Sequence, residues 1–361
     1  MFRIAGDGMK KYIDLEDMVN LNCSNVLDII QKNKEISRKE IIALSGLSWG
    51  GMTKIVNRLL EHGYVTEKKA GHIGGGGRTP SVLSVNSDRN FVIGLDINKT
   101  GLNAIVMNLT GETLKSYSAK VTSDNRDDFV DEVVSFVKKA YNDFKDKNVI
   151  STGVAMQGTV DSQNGISVKM PGIDGWNKVE IKKILENETG GRVFVEHDPD
   201  CLLYPHTQNS LRENTVLLRI DKSVGMAVAV NGKIIRATGI FEIAHTIAVP
   251  NGKKCRCGQQ GCLEAYVGGC ITDDGIDKEK SAELIMPLAV TVKNLADIFR
   301  ADRFILTGTL MEHTDFFESR LTDELSSLGF ATRLEFCAVS DYAMRGAALR
   351  AINKSINSLM F

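Results

Sequence analysis

Residues 36–65 read ISRKEIIALSGLSWGGMTKIVNRLLEHGYV, and their spacing decides the N-terminal fold. Ser37-Arg38-Lys39-Glu40 is a capping-box pattern, in which the Ser hydroxyl and the Glu carboxylate satisfy each other's backbone N–H groups. It opens a short helix containing Ile41, Ile42 and Leu44. Ser45-Gly46-Leu47 makes a tight turn. Ser48 then caps a third helix, in which Met52, Ile55, Val56, Leu59 and Leu60 recur at helical spacing and which Gly63 stops. Its other face carries Thr53, Lys54, Asn57 and Arg58. Upstream, residues 24–33 read as a helix with Val26, Leu27, Ile29 and Ile30 on its apolar side. Downstream, residues 64–85 alternate around Gly74-Gly75-Gly76-Gly77-Arg78-Thr79-Pro80, the pattern of a two-stranded wing with a flexible, basic tip that runs into a linker. Two short helices joined by a tight turn and followed by a wing describe a winged helix-turn-helix, here residues 1–88. The plain alternative is a small helical core with a solvated polar face. The capping box, turn, helix and wing in this order favour DNA binding. Arg38, Ser48, Thr53, Lys54, Asn57, Arg58 and Arg78 are its candidate contacts. Lys54 and Asn57 are assigned to bases, Arg58 and Arg78 to phosphates or the minor groove.

Charge distribution agrees with a DNA-binding end. The 361 residues carry a net charge of −1, yet residues 21–80 hold nine Lys/Arg against five Asp/Glu. A basic head on a mildly acidic body fits nucleic-acid contact by one end. Hydrophobic content of 43% and charged content of 25% are those of a globular protein with two or three domains. No apolar run reaches membrane-span length, and MFRIAGDGMKKYIDLEDM lacks the apolar core of a signal peptide, so a cytoplasmic protein with no membrane partner is expected.

From Phe91 the pattern changes to strands alternating with helices. Phe91–Ile97 and Leu102–Leu109 read as a hairpin, 126–144 as an amphipathic helix, Val149–Met156 as a strand, Lys178–Glu188 as a helix and Val193–Glu196 as a strand. A second hairpin follows, Val216–Ile220 with Met226–Val230, turned by Asn231-Gly232. Residues 281–299 are a long helix, Phe304–Leu306 a strand and 340–355 a final helix. Two hairpin-led α/β halves point to two actin-like lobes around a cleft. Within the second half, His245 precedes Cys255, Cys257 and Cys262. One imidazole and three thiolates make a tetrahedral set for a structural Zn²⁺ with no vacant position. A set of buried free cysteines is the alternative.

Taken together, these segments resemble the ROK family (repressors, open reading frames and kinases), and its repressor branch in particular, which includes xylose, N-acetylglucosamine and glucose regulators. The segment at 36–65, GGGRTP, GIDGW, VEHDPD, FEIAH and CRCGQQGCLEA stand in family order. The resemblance implies an α/β fold: an N-terminal winged helix-turn-helix followed by two ribonuclease-H-like, actin-like lobes. Lobe one is placed at about 89–200 plus 340–361, lobe two at about 201–339. It implies sugar contacts from Asp198, Glu242, His245 and Glu264, with Asp198 the counterpart of the kinases' general base and His245 serving both zinc and sugar. His197, where the family has Asn, and Gly172, also an Asn position, depart from the pattern. The three ATP-binding glycine loops are altered too: Asp96-Ile97-Asn98-Lys99-Thr100, Asp221-Lys222-Ser223-Val224-Gly225-Met226-Ala227 and Leu306-Thr307-Gly308-Thr309. Side chains now stand where backbone must approach phosphate, so no ATP binding and no kinase activity are expected. The expected protein is a sugar-responsive repressor that binds operator DNA and a carbohydrate-like effector. It is a homo-oligomer, a dimer or dimer of dimers, although few residues separate the zinc loop from the next helix. A sugar kinase with a fused DNA-binding head, and a DNA-binding protein with a vestigial pocket, stand as alternatives.

Overall fold

The computed structural model describes residues 15–69, 81–208, 212–235, 242–272, 275–312, 314–337 and 342–358. The chain begins with α1 (Leu15–Asn33), which starts well before residue 24, then β1 (Ile36–Ser37), α2 (Arg38–Ser45), α3 (Trp49–Glu61), β2 (Val65–Lys69) and β3 (Ser81–Val85). Ser37 and Glu40 form the reciprocal capping box, and Gly46 ends α2 at φ 69°. Ser48 Oγ accepts the Gly51 N–H at 3.2 Å and caps α3. Gly63, at φ 70°, turns the chain out of α3 so that the Tyr64 N–H reaches the Leu59 carbonyl. β3 is the central strand of the wing, between β1 and β2. The Gly74–Pro80 run, Arg78 included, lies outside the described residues.

The first lobe contains β4 (Asn90–Asn98), β5 (Gly101–Asn108), β6 (Thr113–Lys120), α4 (Arg126–Asp143), β7 (Asn148–Met156), the small ladder β8 (Thr159–Asp161) with β9 (Ile166–Lys169), α5 (Ile181–Thr189) and β10 (Val193–His197). Its sheet runs β10-β7-β4-β5-β6, with β4 parallel to β7 and antiparallel to β5. α6 (Asp198–Thr207) follows and packs against both lobes. The second lobe contains β11 (Thr215–Ile220), β12 (Val224–Val230), β13 (Lys233–Ile234), α7 (Glu264–Val267), β14 (Ile271–Thr272), β15 (Gly275–Ile276), α8 (Lys278–Phe299), β16 (Arg303–Thr307), α9 (Thr314–Ser327) and β17 (Arg333–Cys337). Its sheet, β13-β12-β11-β16-β17, again joins an antiparallel hairpin to parallel strands. Sequence periodicity locates the two hairpins and the long helices. It misses β6, α6, α9 and β17, and it places α5 three residues early. Between the zinc loop and α8 the described residues form α7 and the β14–β15 ladder.

The last helix, α10 (Tyr342–Ser358), holds these parts together. Its face is built of small residues: Ala343, Gly346, Ala347, Ala348 and Ala351. A Cβ at Gly94 would stand 2.1 Å from the Met344 carbonyl oxygen, one at Gly153 2.0 Å from that of Ala347, and one at Gly346 1.8 Å from that of Cys201. Backbone therefore meets backbone where α10 crosses β4, β7 and α6. Further along, buried Ala348, Ile352 and Ile356 share one core with Val26, Ile30, Met52 and Val56 of the winged helix and with Val92 and Met107 of lobe one. The head is thus built onto lobe one. Of the linker expected after the Gly-rich wing tip, the described part is β3 and the turn into β4, and it does not separate two cores. Gly346→Ala is expected to cost at least about 3 kcal/mol, because neither backbone can yield to the new methyl group. Thermal unfolding should show the loss as one cooperative transition for head and lobe one. A near-neutral effect would contradict this packing.

Candidate functional site

His197, Asp198, Glu242, His245 and Glu264 all line one cleft of about 600 Å³ between the lobes. β10 delivers His197 and Asp198 to its floor, with Asp198 the first residue of α6. From the second lobe, a 3₁₀ turn brings His245 and the start of α7 brings Glu264. Glu264 is buried; Arg256 approaches its Oε1 at 3.3 Å, and Oε2 has no hydrogen-bond partner. Burial pushes its carboxyl above the ordinary carboxylate range, with Arg256 and His245 opposing. An acceptor in this state welcomes a hydroxyl donor, because an unmade buried hydrogen bond is costly.

The zinc set also assembles. The ligand atoms of His245, Cys255, Cys257 and Cys262 lie within 4.8 Å of one another. His245 Nδ1 is 3.7 Å from Cys255 Sγ, and Cys257 Sγ is 3.7 Å from Cys262 Sγ. A tetrahedron with Zn–S bonds of about 2.3 Å has edges near ~3.8 Å, so these residues fit Zn²⁺. With Nδ1 turned to the thiols, the opposite edge of the imidazole is left for the cleft.

The group that sequence reading missed is Arg219, on β11. Its Nη1 donates to Asp198 Oδ2 at 2.7 Å and its Nε to Asp221 Oδ2 at 2.5 Å. Asp221 Oδ1 in turn accepts the N–H and hydroxyl of Thr309, at 2.7 and 2.9 Å. Asp96 stands nearby with Oδ1 buried and unpartnered; burial pushes its carboxyl up to about 6, opposed by Arg219 and reinforced by Asp198 and Asp221. One signal was available: an arginine inside the apolar strand VLLRI must be paired, because such strands do not bury a free charge.

Each altered loop is closed upon itself. Asn98 Oδ1 accepts the N–H groups of Thr100 and Gly101, and Gln157 accepts that of Lys99. The Asp221 N–H donates to the Ser223 carbonyl. Gly308 survives in the third loop for a packing reason: a Cβ there would meet the Ile220 backbone at 2.4–2.7 Å. Gly172 has φ 82°, the left-handed region that favours glycine, and the flexible Lys99 side chain lies against it.

In the head, Lys54 and Asn57 are exposed and Arg58 is half-buried. Two other candidates are engaged within the fold: Arg38 pairs with Glu67 of β2 at 2.9 Å and Ser48 caps α3, while Thr53 Oγ1 is buried without a hydrogen-bond partner.

The chain thus joins a winged helix to two hairpin-led lobes that enclose a cleft and carry a Cys₃His set. Comparison with known proteins gives the family: the ROK family model matches residues 92–341, so the chain belongs to the ROK family. A winged helix-turn-helix DNA-binding model matches residues 24–66. The chain is 25% identical over 259 residues to the DNA-binding transcriptional repressor Mlc of Escherichia coli K12, covering 69% of this chain and 63% of the relative. It is 26% identical over 258 residues to the xylose repressor of Bacillus subtilis 168, covering 68% and 65%. It is 28% identical over 266 residues to the E. coli K12 DNA-binding transcriptional dual regulator NagC, covering 71% and 64%. The match therefore spans less than two thirds of each relative. Among solved structures, a ROK family transcriptional regulator described as a homolog of E. coli MLC superposes with a TM-score of 0.81 at 19% identity, covering 95% and 98% of the two chains. A Streptomyces griseus ROK glucokinase in complex with glucose and AMPPNP gives 0.58 at 20% identity, covering 73% and 99%.

Two outcomes follow from the site. Purified protein should carry about one zinc per chain, and Cys257→Ser should lose the metal and lower the melting temperature. Unchanged zinc content by elemental analysis would refute the ligand set. Arg219→Met should cost about 3–5 kcal/mol at pH 7.5, because it leaves buried carboxylates uncompensated. Burial already holds Asp96 up at about 6, and without the opposing guanidinium it rises further above its unfolded value, so the folded state binds that proton first. The deficit is therefore largest above pH 6 and shrinks toward pH 5. Thermal melts at both pH values check the sign.

Proposed function

We propose that this protein is a transcriptional repressor that binds operator DNA through its winged helix and a carbohydrate-like effector in its cleft, without phosphorylating that effector. The observation that carries the second half is the Arg219–Asp221 pair. Catalysis of phosphoryl transfer depends on backbone donors and a metal cradling the phosphates. Here Thr309 gives its N–H to the Asp221 carboxylate, Asn98 and Gln157 consume the donors of the first loop, and Arg219 neutralises Asp198. The cleft supplies its own anion and its own cation where a kinase would bind nucleotide and metal. The family resemblance to Mlc, NagC and xylose repressors supports the first half.

Zinc is structural in this scheme, and it holds His245 and the start of α7 against the cleft. Acceptors at Asp198, Glu242 and Glu264 suit ligand hydroxyls, since each carboxylate takes more than one donor. The working form is a homodimer that places two heads on a pseudo-palindromic site. Residues 1–88 form the head; 89–200 with 340–361, and 201–339, form the lobes. The cleft reaches the head through α10. Glu196, two residues before Asp198, is buried and binds Arg350 and Lys354 of α10 at 3.2 and 2.6 Å. The same helix presents Ile352 and Ile356 to the winged-helix core. Effector and DNA favour different settings of this helix, which couples the two sites.

The test uses the full chain, because removing the head would strip Val92, Met107 and Ile352 of their cover. Lys54→Ala combined with Asn57→Ala should abolish operator binding in gel shifts while leaving the fold intact. A monosaccharide that raises the melting temperature should weaken operator binding by about 5-fold or more. Titration with ATP–Mg²⁺ should give no binding heat. Sugar-dependent ADP release would overturn the proposal in favour of a kinase. A complete absence of sugar binding would leave a ligand-independent DNA-binding protein.

A further inference from the structure

The recognition surface of the winged helix is poorer in polar groups than its sequence promises. Arg38 is spent on Glu67, Ser48 on the cap of α3, and Thr53 turns its hydroxyl inward. What the first turn of α3 offers instead is Trp49. It is the first residue of the helix and 61% exposed. Leu44, on α2 just across the Ser45–Ser48 turn, is also 61% exposed. Single exposed apolar residues are ordinary. Trp49, at the N-terminal end of the second helix, is at the place where such motifs meet base edges, with Leu44 across the turn from it.

The next two residues are Gly50 and Gly51. A Cβ at Gly50 would meet nothing within 4 Å, so no packing demands glycine there. Gly51 lies close under the capping Ser48 hydroxyl, 3.2 Å from where a Cβ would stand, but Gly50 costs helix stability without gain inside the fold. The two glycines leave the helix end slim, so that its backbone can come close to a groove and carry the indole ring in with it. Lys54 and Asn57, one and two turns further on, remain exposed to flank it with charge and hydrogen-bonding groups.

Resting on the DNA-binding reading above, we infer that Trp49 is a specificity-determining residue that reads thymine through its 5-methyl group in the major groove. Among the four bases only thymine shows a methyl to an apolar side chain there. The ring makes the apolar contact, Lys54 holds the helix to the phosphates or bases beside it, and the glycines set the depth of approach.

The experiment selects preferred sites from a random duplex pool with the full-length protein and with Trp49→Ala and Trp49→Phe, at fixed salt. Each thymine of the selected site is then replaced by uracil, which keeps pairing and removes only the methyl group. Wild type should lose about fourfold per half-site at one thymine position, the worth of one buried methyl. Trp49→Phe should keep that sensitivity, and Trp49→Ala should lose both the thymine preference and the response to uracil. Fluorescence gives a second readout, because Trp176, the other tryptophan, is buried, so quenching on site binding reports Trp49. Equal discrimination by Trp49→Ala and wild type, insensitivity of wild type to every uracil, or an equal loss on thymine and uracil DNA each overturns the inference while DNA binding itself stands. Failure of wild type to enrich any sequence, with no salt-dependent binding that Lys54→Ala weakens, sinks the DNA-binding reading and this inference together.

Discussion

Backbone-to-backbone contact along α10 is the constraint on which the molecule depends. Gly94 and Gly153 let the helix settle onto β4 and β7, and Gly346 lets α6 cross it at equal closeness. Such contacts tolerate almost no adjustment, since protein interiors are packed like crystals and transmit displacement. The same helix then runs under the winged helix, where Ile352 and Ile356 complete its core. Head, first lobe and inter-lobe helix share one element. A rearrangement at the start of α6, where Asp198 sits, has a short physical path to the DNA-binding surface.

The cleft is a site in which one chemistry has been closed and another left open. Arg219 bridges Asp198 and Asp221 beside Asp96, one guanidinium among three carboxylates in a half-buried place. A cation so placed is costly to remove, because the carboxylates around it would be left unpaired. Asp198 remains able to accept one ligand hydrogen bond, but Arg219 holds its other oxygen. The zinc side forms the opposite wall and leaves Glu264 Oε2 without a hydrogen-bond partner. Polarity is thus divided: paired around Arg219, unsatisfied at Glu264 Oε2.

Lys99 and Gly172, far apart in the linear sequence, lie side by side in space: Gly172 takes φ 82°, which favours glycine, and the flexible Lys99 side chain lies against it. At Gly308 it is backbone that decides, because a Cβ there would meet the Ile220 main chain at 2.4–2.7 Å.

By itself the sequence determined the elements whose signals are local. Capping boxes, turn glycines and helical spacing are written in a few consecutive residues, so Ser37, Glu40, Ser48 and the apolar stripe from Met52 to Leu60 were legible as a winged helix. The two hairpins and the Cys₃His set were legible for the same reason. Tertiary structure alone decided what distant residues do to one another. β6 and β17 are edge strands with mixed composition, and α6 starts on a dipeptide that reads as a turn, so no local periodicity marks them. The engagement of Arg38 by Glu67, the seating of Arg219 between Asp198 and Asp221, and the merging of the head with lobe one all join residues far apart in the chain. Pairing of charges and sharing of cores are set by proximity, which sequence spacing does not encode.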